Sequence, residues 1–172
     1  MTSYKEKLNH IRAFMFDVDG VLTNGDVMLL NGDVIRSLNS RDAYALQYAV
    51  KMGYKIFIVT GGNSMDVRDR LLGLGVTEVH LSSSNKETIF LDILQRHGLA
   101  EVEVLYMGDD IPDYIVMTRA GVACCPQDAA IEIKQISDYQ SPYYGGRHCV
   151  RDVIEQTLRV QGNWFSEKAF DW

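Results

Sequence analysis

Residues 11–20 read Ile-Arg-Ala-Phe-Met-Phe-Asp-Val-Asp-Gly. An apolar run of strand length stops at two acids one residue apart, then at a glycine. A short apolar run bounded by a turn signal marks a strand buried on both faces. The same grammar recurs twice. Residues 54–59 run into Thr60-Gly61-Gly62, and residues 102–107 run into Gly108-Asp109-Asp110-Ile111-Pro112-Asp113. Further strands are predicted at 76–81 and 122–125.

Helical patterns separate these strands. Residues 41–52 place Ala43, Leu46, Ala49 and Val50 on one face, and Gly53 closes them. Helices are also predicted over 64–74, near 110–119, over 128–136 and over 150–161. Ser84 and Glu87 have capping-box spacing, which predicts a helix to His97 with Lys86 at its start. Strands alternating with helices predict an α/β fold, a Rossmann-like doubly wound parallel sheet. Ligands of such sheets bind outside the carboxyl ends of the strands. That edge gathers Asp17, Thr60 and Asp109, which are far apart in the chain.

Asn31-Gly32 between residues 26–30 and 33–38 is a strong hairpin signal. From Asp19 to Thr60 there is room for this hairpin and one helix, and from Lys86 to Asp109 for one helix and one strand. Neither gap holds a separate cap domain. The chain therefore reads as one domain over 1–172, with a hairpin insertion at 26–38 and a lid and tail at 145–172.

The 172 residues suffice for a full core, and 47% hydrophobic with 23% charged residues is ordinary for a globular chain. A net charge of −6 with no Lys/Arg run argues against nucleic acid. Cys124, Cys125 and Cys149 lack metal-ligand spacing and suit a reduced, cytoplasmic protein. The polar start Met1-Thr2-Ser3-Tyr4-Lys5 lacks the apolar core of a signal peptide, and no apolar stretch reaches membrane-spanning length.

The clustered residues suit phosphate ester chemistry. A carboxylate such as Asp17 can attack phosphorus, and Asp19 can protonate the leaving alcohol and later deprotonate water. Two anions repel, so a divalent cation must join them, and oxygen ligands from Asp17, Asp19 and Asp109 suit Mg²⁺. Thr60 and the amides of Gly61 and Gly62 can hold phosphate oxygens. Lys86 can neutralise remaining charge, oriented by Asp113, with Asp110 as a further supporting acid.

These motifs resemble those of the haloacid dehalogenase superfamily: Asp17-Val18-Asp19-Gly20-Val21, Thr60, Lys86, and Gly108 to Asp113. Within it, the chain is similar along nearly its whole length to the small capless phosphatases of 3-deoxy-D-manno-octulosonate 8-phosphate. Asp19-Gly20-Val21-Leu22-Thr23, Thr60-Gly61-Gly62, Arg70 and Gly145-Gly146-Arg147 carry that likeness. The resemblance implies Asp17 as nucleophile, Asp19 as acid/base, and Mg²⁺ on Asp17, the Asp19 carbonyl and Asp109. It implies a role in lipopolysaccharide precursor synthesis and homotetramers whose hairpins pack into a barrel. Two departures stand out. The family tail usually reads Gly-Gly-Arg-Gly-Ala-Val-Arg, where this chain has His148 and Cys149, and its usual Asp-Gly is Asp42-Ala43 here.

A capless cleft would be open to water and would discriminate poorly among esters. The hairpin is rich in apolar residues (Val27, Leu29, Val34, Ile35, Leu38), and an isolated hairpin is marginal in water. A neighbouring subunit is the expected cover. Arg70 is expected to reach a substrate carboxylate there, since a guanidinium fork suits one. Gly145-Gly146-Arg147-His148 is expected to form a mobile lid, with Arg147 meeting the anionic substrate. The aromatic tail from Trp164 to Trp172 fits either a partner or its own surface.

Three other readings compete. A nine-carbon sialic-type acid 9-phosphate is an alternative substrate. In the resemblance that variant carries Glu where Gly62 stands, which favours the eight-carbon acid. A signalling receiver domain needs an Asp after its third strand and a later Lys, and this order does not match. A non-catalytic tetramerisation domain of the same fold would not need intact Asp17 and Asp19.

Overall fold

The computed structural model describes residues 3–172, so Met1 and Thr2 of the polar N-terminal stretch lie outside the described residues. In chain order the elements are α1 (Tyr4–Lys7), β1 (Ala13–Phe16), a hairpin of β2 (Met28–Leu30) and β3 (Asp33–Ile35), α2 (Ser40–Lys51) and β4 (Lys55–Val59). Then follow α3 (Met65–Gly73), β5 (Glu78–His80), α4 (Lys86–His97), β6 (Val104–Met107), α5 (Tyr114–Arg119), β7 (Val122–Cys125), α6 (Ile131–Ile136), β8 (Tyr139–Gln140) and α7 (Cys149–Val160).

The main sheet is wholly parallel, in the order β5-β4-β1-β6-β7-β8. Leaving out the hairpin, this is the doubly wound order in which the winding reverses between β1 and β6. Phe14 lies beside Ile56 on one side and Leu105 on the other.

Period-two alternation splits each buried strand between two cores. Phe14 and Phe16 join Ile56, Ile58, Leu105 and Met107 under α2, α3 and α7, where Leu46, Leu71 and Ile154 complete the layer. Ala13 and Met15 face the other way, with Phe57, Val59 and Tyr106, against Phe90 and Ile93 of α4, Met117 of α5 and Ile133 of α6. Each such fully buried aliphatic or aromatic side chain contributes roughly 1.5–3 kcal/mol.

Several boundaries differ from the sequence expectation. The cap of α4 is Asn85, whose side chain accepts from Thr88 N–H at 3.1 Å, not Ser84. Ser84 instead lines the cleft at the strand ends. The expected helix near 110 opens as a 3₁₀ turn, Ile111–Asp113, with Pro112 in the first turn, where its missing N–H costs no helical bond. Strand β8 was not anticipated, since two residues carry no period.

The tail docks on its own chain. Tyr48 Oη donates to Asn163 O and accepts from Ser166 N–H, both at 3.0 Å, and Trp164 packs edge-on to the Tyr48 ring. Tyr44 Oη donates to the Ala169 carbonyl. The hairpin, in contrast, pairs only with itself, and Val27, Met28, Leu29, Leu30, Val34 and Ile35 are all exposed. Among the described residues no helix is long and apolar enough to cross a membrane.

Candidate active site

Asp17 follows the last residue of β1, and its N–H donates to Met107 O of β6 at 3.1 Å. This fixes it at the reversal point of the sheet. Its Oδ1 accepts from Val18 N–H at 2.6 Å, and Oδ2 meets Lys86 Nζ at 3.0 Å. The chain then makes one wide turn over Val18–Leu22, closed by Thr23 N–H onto Val18 O at 3.0 Å. Gly20 sits at φ 82° in that turn, and a Cβ there would collide with the Asp109 carboxylate. Glycine thus serves both the backbone angle and the approach of the β1 and β6 loops.

Lys86 occupies the first position of α4 and is buried. Its Nζ lies 2.7 Å from Asp113 Oδ1, which also accepts from Tyr106 Oη at 2.7 Å. Asp113 Oδ2 accepts from Asp109 N–H at 3.2 Å. Asp113 therefore spends both oxygens on protein donors and holds the lysine toward Asp17. Tyr106 escaped the sequence reading because it lies inside the apolar run of β6. Asp110 caps the 3₁₀ turn through Ile111 N–H at 2.8 Å.

Negative charge is in excess here. Burial pushes the Asp17 carboxyl up to about 6, assisted by the Asp113 charge and opposed by Lys86. Asp109 is pushed up to about 7 by burial and by the charges of Asp17, Asp113 and Asp110. Burial alone would lower Lys86, but Asp17 and Asp113 outweigh it and raise it. Carboxylate oxygens of Asp17, Asp109 and Asp113 lie within 4.8 Å of one another. Among the described residues no donor bonds the Asp109 carboxylate, while Asp113 already accepts from Lys86, Tyr106 and the Asp109 N–H. Asp17 and Asp109 are thus the acids left to hold a divalent cation, and hard oxygen donors fit Mg²⁺.

A pH dependence follows. Because both folded-state values are raised from 3.8, the metal-free fold is expected to lose stability as pH rises from that ordinary value to about 6 to 7, with no further loss from these groups above it. Cation binding requires the ionised acids and so releases protons. Calorimetric Mg²⁺ affinity should fall at least tenfold, roughly, between about pH 7.5 and about pH 5.5. A pH-independent affinity would remove these two acids from the metal site.

At the end of β4, Thr60 N–H donates to His80 O at 3.0 Å. Thr60 Oγ1 accepts from Gly62 N–H at 3.1 Å, closing a tight turn. Of the two glycine amides expected to face phosphate, Gly62 is therefore occupied, and Gly61 N–H finds no acceptor among the described residues. Asp17, Asp19, Thr60, Gly61, Gly62, Lys86, Asp109, Asp110 and Asp113 all line one cleft of about 490 Å³. Ser83 and Ser84 line it too and were not anticipated.

Asp19 carries a partner the sequence reading did not find. Arg36, the residue after β3, grips it in a fork, Nε to Oδ1 at 2.6 Å and Nη2 to Oδ2 at 3.1 Å. The only sequence signal was a lone arginine closing an apolar hairpin.

Gly145 and Gly146 are seated on the turn that follows Asp19. Gly146 N–H donates to Val21 O at 2.8 Å, and Gly145 N–H to Asp128 Oδ1 at 2.9 Å. A Cβ on either would strike backbone between Gly20 and Asn24. His148 adopts φ 83°, the left-handed region that explains a glycine at this place in the family pattern. Buried Asp42 accepts from His148 N–H at 3.1 Å and Arg151 N–H at 2.8 Å, and so closes the start of α7. Arg70 and Arg147 are exposed and do not line the cleft of their own chain.

No protein-family model matches the chain. A curated relative, the 3-deoxy-D-manno-octulosonate 8-phosphate phosphatase KdsC of Escherichia coli (strain K12), is 35% identical over 157 residues, covering 91% of this chain and 84% of that protein. The crystal structure of the corresponding phosphatase from Moraxella catarrhalis, in complex with magnesium ion, phosphate ion and KDO, matches with a TM-score of 0.91 at 28% identity, covering 94% of this chain and 93% of that one. The cobalt-bound form of the Haemophilus influenzae phosphatase matches with a TM-score of 0.88 at 28% identity, covering 95% of this chain and 98% of that one.

Proposed function

The chain belongs to the family of 3-deoxy-D-manno-octulosonate 8-phosphate phosphatases, and from that premise we propose how its cleft performs this hydrolysis. The enzyme is an Mg²⁺-dependent phosphomonoester hydrolase that releases the free sugar acid and phosphate. Asp17 attacks phosphorus and forms an aspartyl-phosphate. The bond from phosphorus to the sugar oxygen breaks, its electron pair stays on that oxygen, and Asp19 supplies the proton. Asp19 then takes a proton from water, which attacks phosphorus and frees Asp17. Mg²⁺ held by Asp17, Asp109 and the Asp19 carbonyl supplies the positive charge that lets two anions meet. Lys86, Thr60 and the Gly61 amide hold phosphate oxygens.

The observation that carries this reading is the acid cluster at the sheet reversal, with Asp17 held by the Lys86–Asp113 pair beside an unbonded Asp109. Phosphate release over a panel of sugar phosphates with Mg²⁺ tests it. The eight-carbon acid 8-phosphate should be turned over best, ahead of the nine-carbon 9-phosphate. Preference for the nine-carbon ester would reassign the substrate. The free acid then serves lipopolysaccharide precursor synthesis, in the cytoplasm.

We further propose a homotetramer with shared clefts, built from the single domain with its hairpin insertion. Six exposed apolar side chains on a hairpin whose strands pair only with each other support it. Exposed Arg70 and Arg147 are then placed to meet substrate, Arg70 in a neighbour's cleft. Sedimentation at micromolar concentration should give a tetramer, and L29E should shift it to smaller species, with sugar-acid specificity lost. A wild-type monomer that keeps specificity would refute the shared cleft.

A further inference from the structure

We infer that Arg36 is a positioning residue for Asp19, through which the hairpin aims the acid/base at the departing oxygen. The inference rests on the catalytic reading above. Asp19 lies in the turn after β1, outside any strand or regular helix, at φ −70° and ψ 123°. Its own loop offers the carboxylate only a long contact, Thr23 Oγ1 at 3.5 Å. The firm grip comes from Arg36, with two hydrogen bonds of 2.6 and 3.1 Å. A planar fork bound to both oxygens fixes the plane and direction of a carboxylate, which a single point contact does not. It uses one lone pair on each oxygen and leaves one on each free, where the proton that Asp19 gives to the leaving oxygen, and later takes from water, is carried facing the ester.

Arg36 has no other hydrogen-bond partner among the described residues, and its side chain is only 11% exposed. Asp19 lines the cleft, and Arg36 stands behind it beside the phosphate turn, where the two share a small adjoining cavity with Thr60 and Gly62. A Cβ on Gly62 would stand 3.5 Å from Arg36 Nη2, 3.5 Å from Asp19 Oδ2 and 3.4 Å from Thr60 Oγ1. The donor belongs to the hairpin, one residue past β3, and not to the sheet that carries Asp17. The hairpin's placement is therefore transmitted to the acid/base through one side chain.

The leaving group separates this role from others. An alkoxide needs a proton as it departs, whereas a nitrophenolate does not. The parameter kcat/KM covers steps through departure of the leaving group. The test compares wild type, R36Q and R36K on three esters with Mg²⁺: the sugar-acid 8-phosphate, a neutral sugar phosphate and p-nitrophenyl phosphate. A misdirected general acid should lower kcat/KM for both alkyl esters by roughly 100-fold in R36Q and far less for the aryl ester. R36K, which keeps charge but not the fork, should recover only part. Calorimetric Mg²⁺ affinity and thermal unfolding should match wild type. Loss confined to the carboxylate-bearing ester, and seen in KM, would overturn the inference and assign Arg36 to substrate binding. Equal loss on all three esters would overturn it in favour of a structural role. Wild-type failure on both alkyl esters would sink the parent reading and the inference together.

Discussion

D17N is expected to release phosphate at least 10⁴-fold more slowly, roughly, than the unchanged enzyme, while keeping its fold. An amide is neutral and does not attack phosphorus. The substitution is isosteric, so Asn Oδ1 can still accept from Val18 N–H, the bond Asp17 makes at 2.6 Å. Lys86 loses one carboxylate but keeps Asp113 at 2.7 Å. Removing the charge also relieves repulsion, since Asp17 is among the groups that raise Asp109. The thermal transition should therefore stay near that of wild type, or above it, without metal. Phosphate release and circular dichroism report the two halves. Turnover within tenfold of wild type, roughly, would remove Asp17 as the nucleophile.

K86A should damage both stability and turnover. Among the described residues the lysine is the one cation bonded to two buried acids, Asp17 and Asp113. Truncating one partner of a buried ionic group leaves uncompensated charge and costs about 3–5 kcal/mol. Loss of a preorganised donor to phosphate should lower kcat by about 10²–10³. The stability loss should be larger at about pH 8 than at about pH 5, because the stranded acids take up protons at the lower pH. In K86A, adding D113N removes a buried charge and should restore much of the stability but none of the turnover. Urea unfolding at both pH values measures this. K86A as stable as wild type at the higher pH would show that the lysine offsets no buried charge.

The strands that carry the site were readable because each is buried on both faces. Such strands appear as unbroken apolar runs, and the first polar residue after each run marks the ligand-binding edge. Residues 13–16, 56–59 and 104–107 followed this pattern, and Asp17, Thr60 and Gly108 came directly after. Lys86 was found through the helix start it occupies, although the cap proved to be Asn85. What stayed hidden depends on pairings made by the fold. Arg36 reaches Asp19 only because the hairpin folds back, and Asp42 reaches α7 only because α2 packs on it. Tyr106 gave no signal because an aromatic residue in a buried strand usually serves packing alone. The seat of Gly145 and Gly146 on the turn after Asp19 is set by backbone approach, which residue types show only as a paired glycine.

The most direct measurement is a rapid-quench single turnover with the eight-carbon sugar-acid 8-phosphate carrying labelled phosphorus, in the presence of Mg²⁺. Label should appear on the protein before free phosphate, be labile to hydroxylamine as an acyl phosphate is, and map to the peptide that contains Asp17. D17N should carry none. Phosphate released from wild type with no labelled protein at any time, or label on a peptide without Asp17, would contradict the covalent mechanism assigned to this cleft.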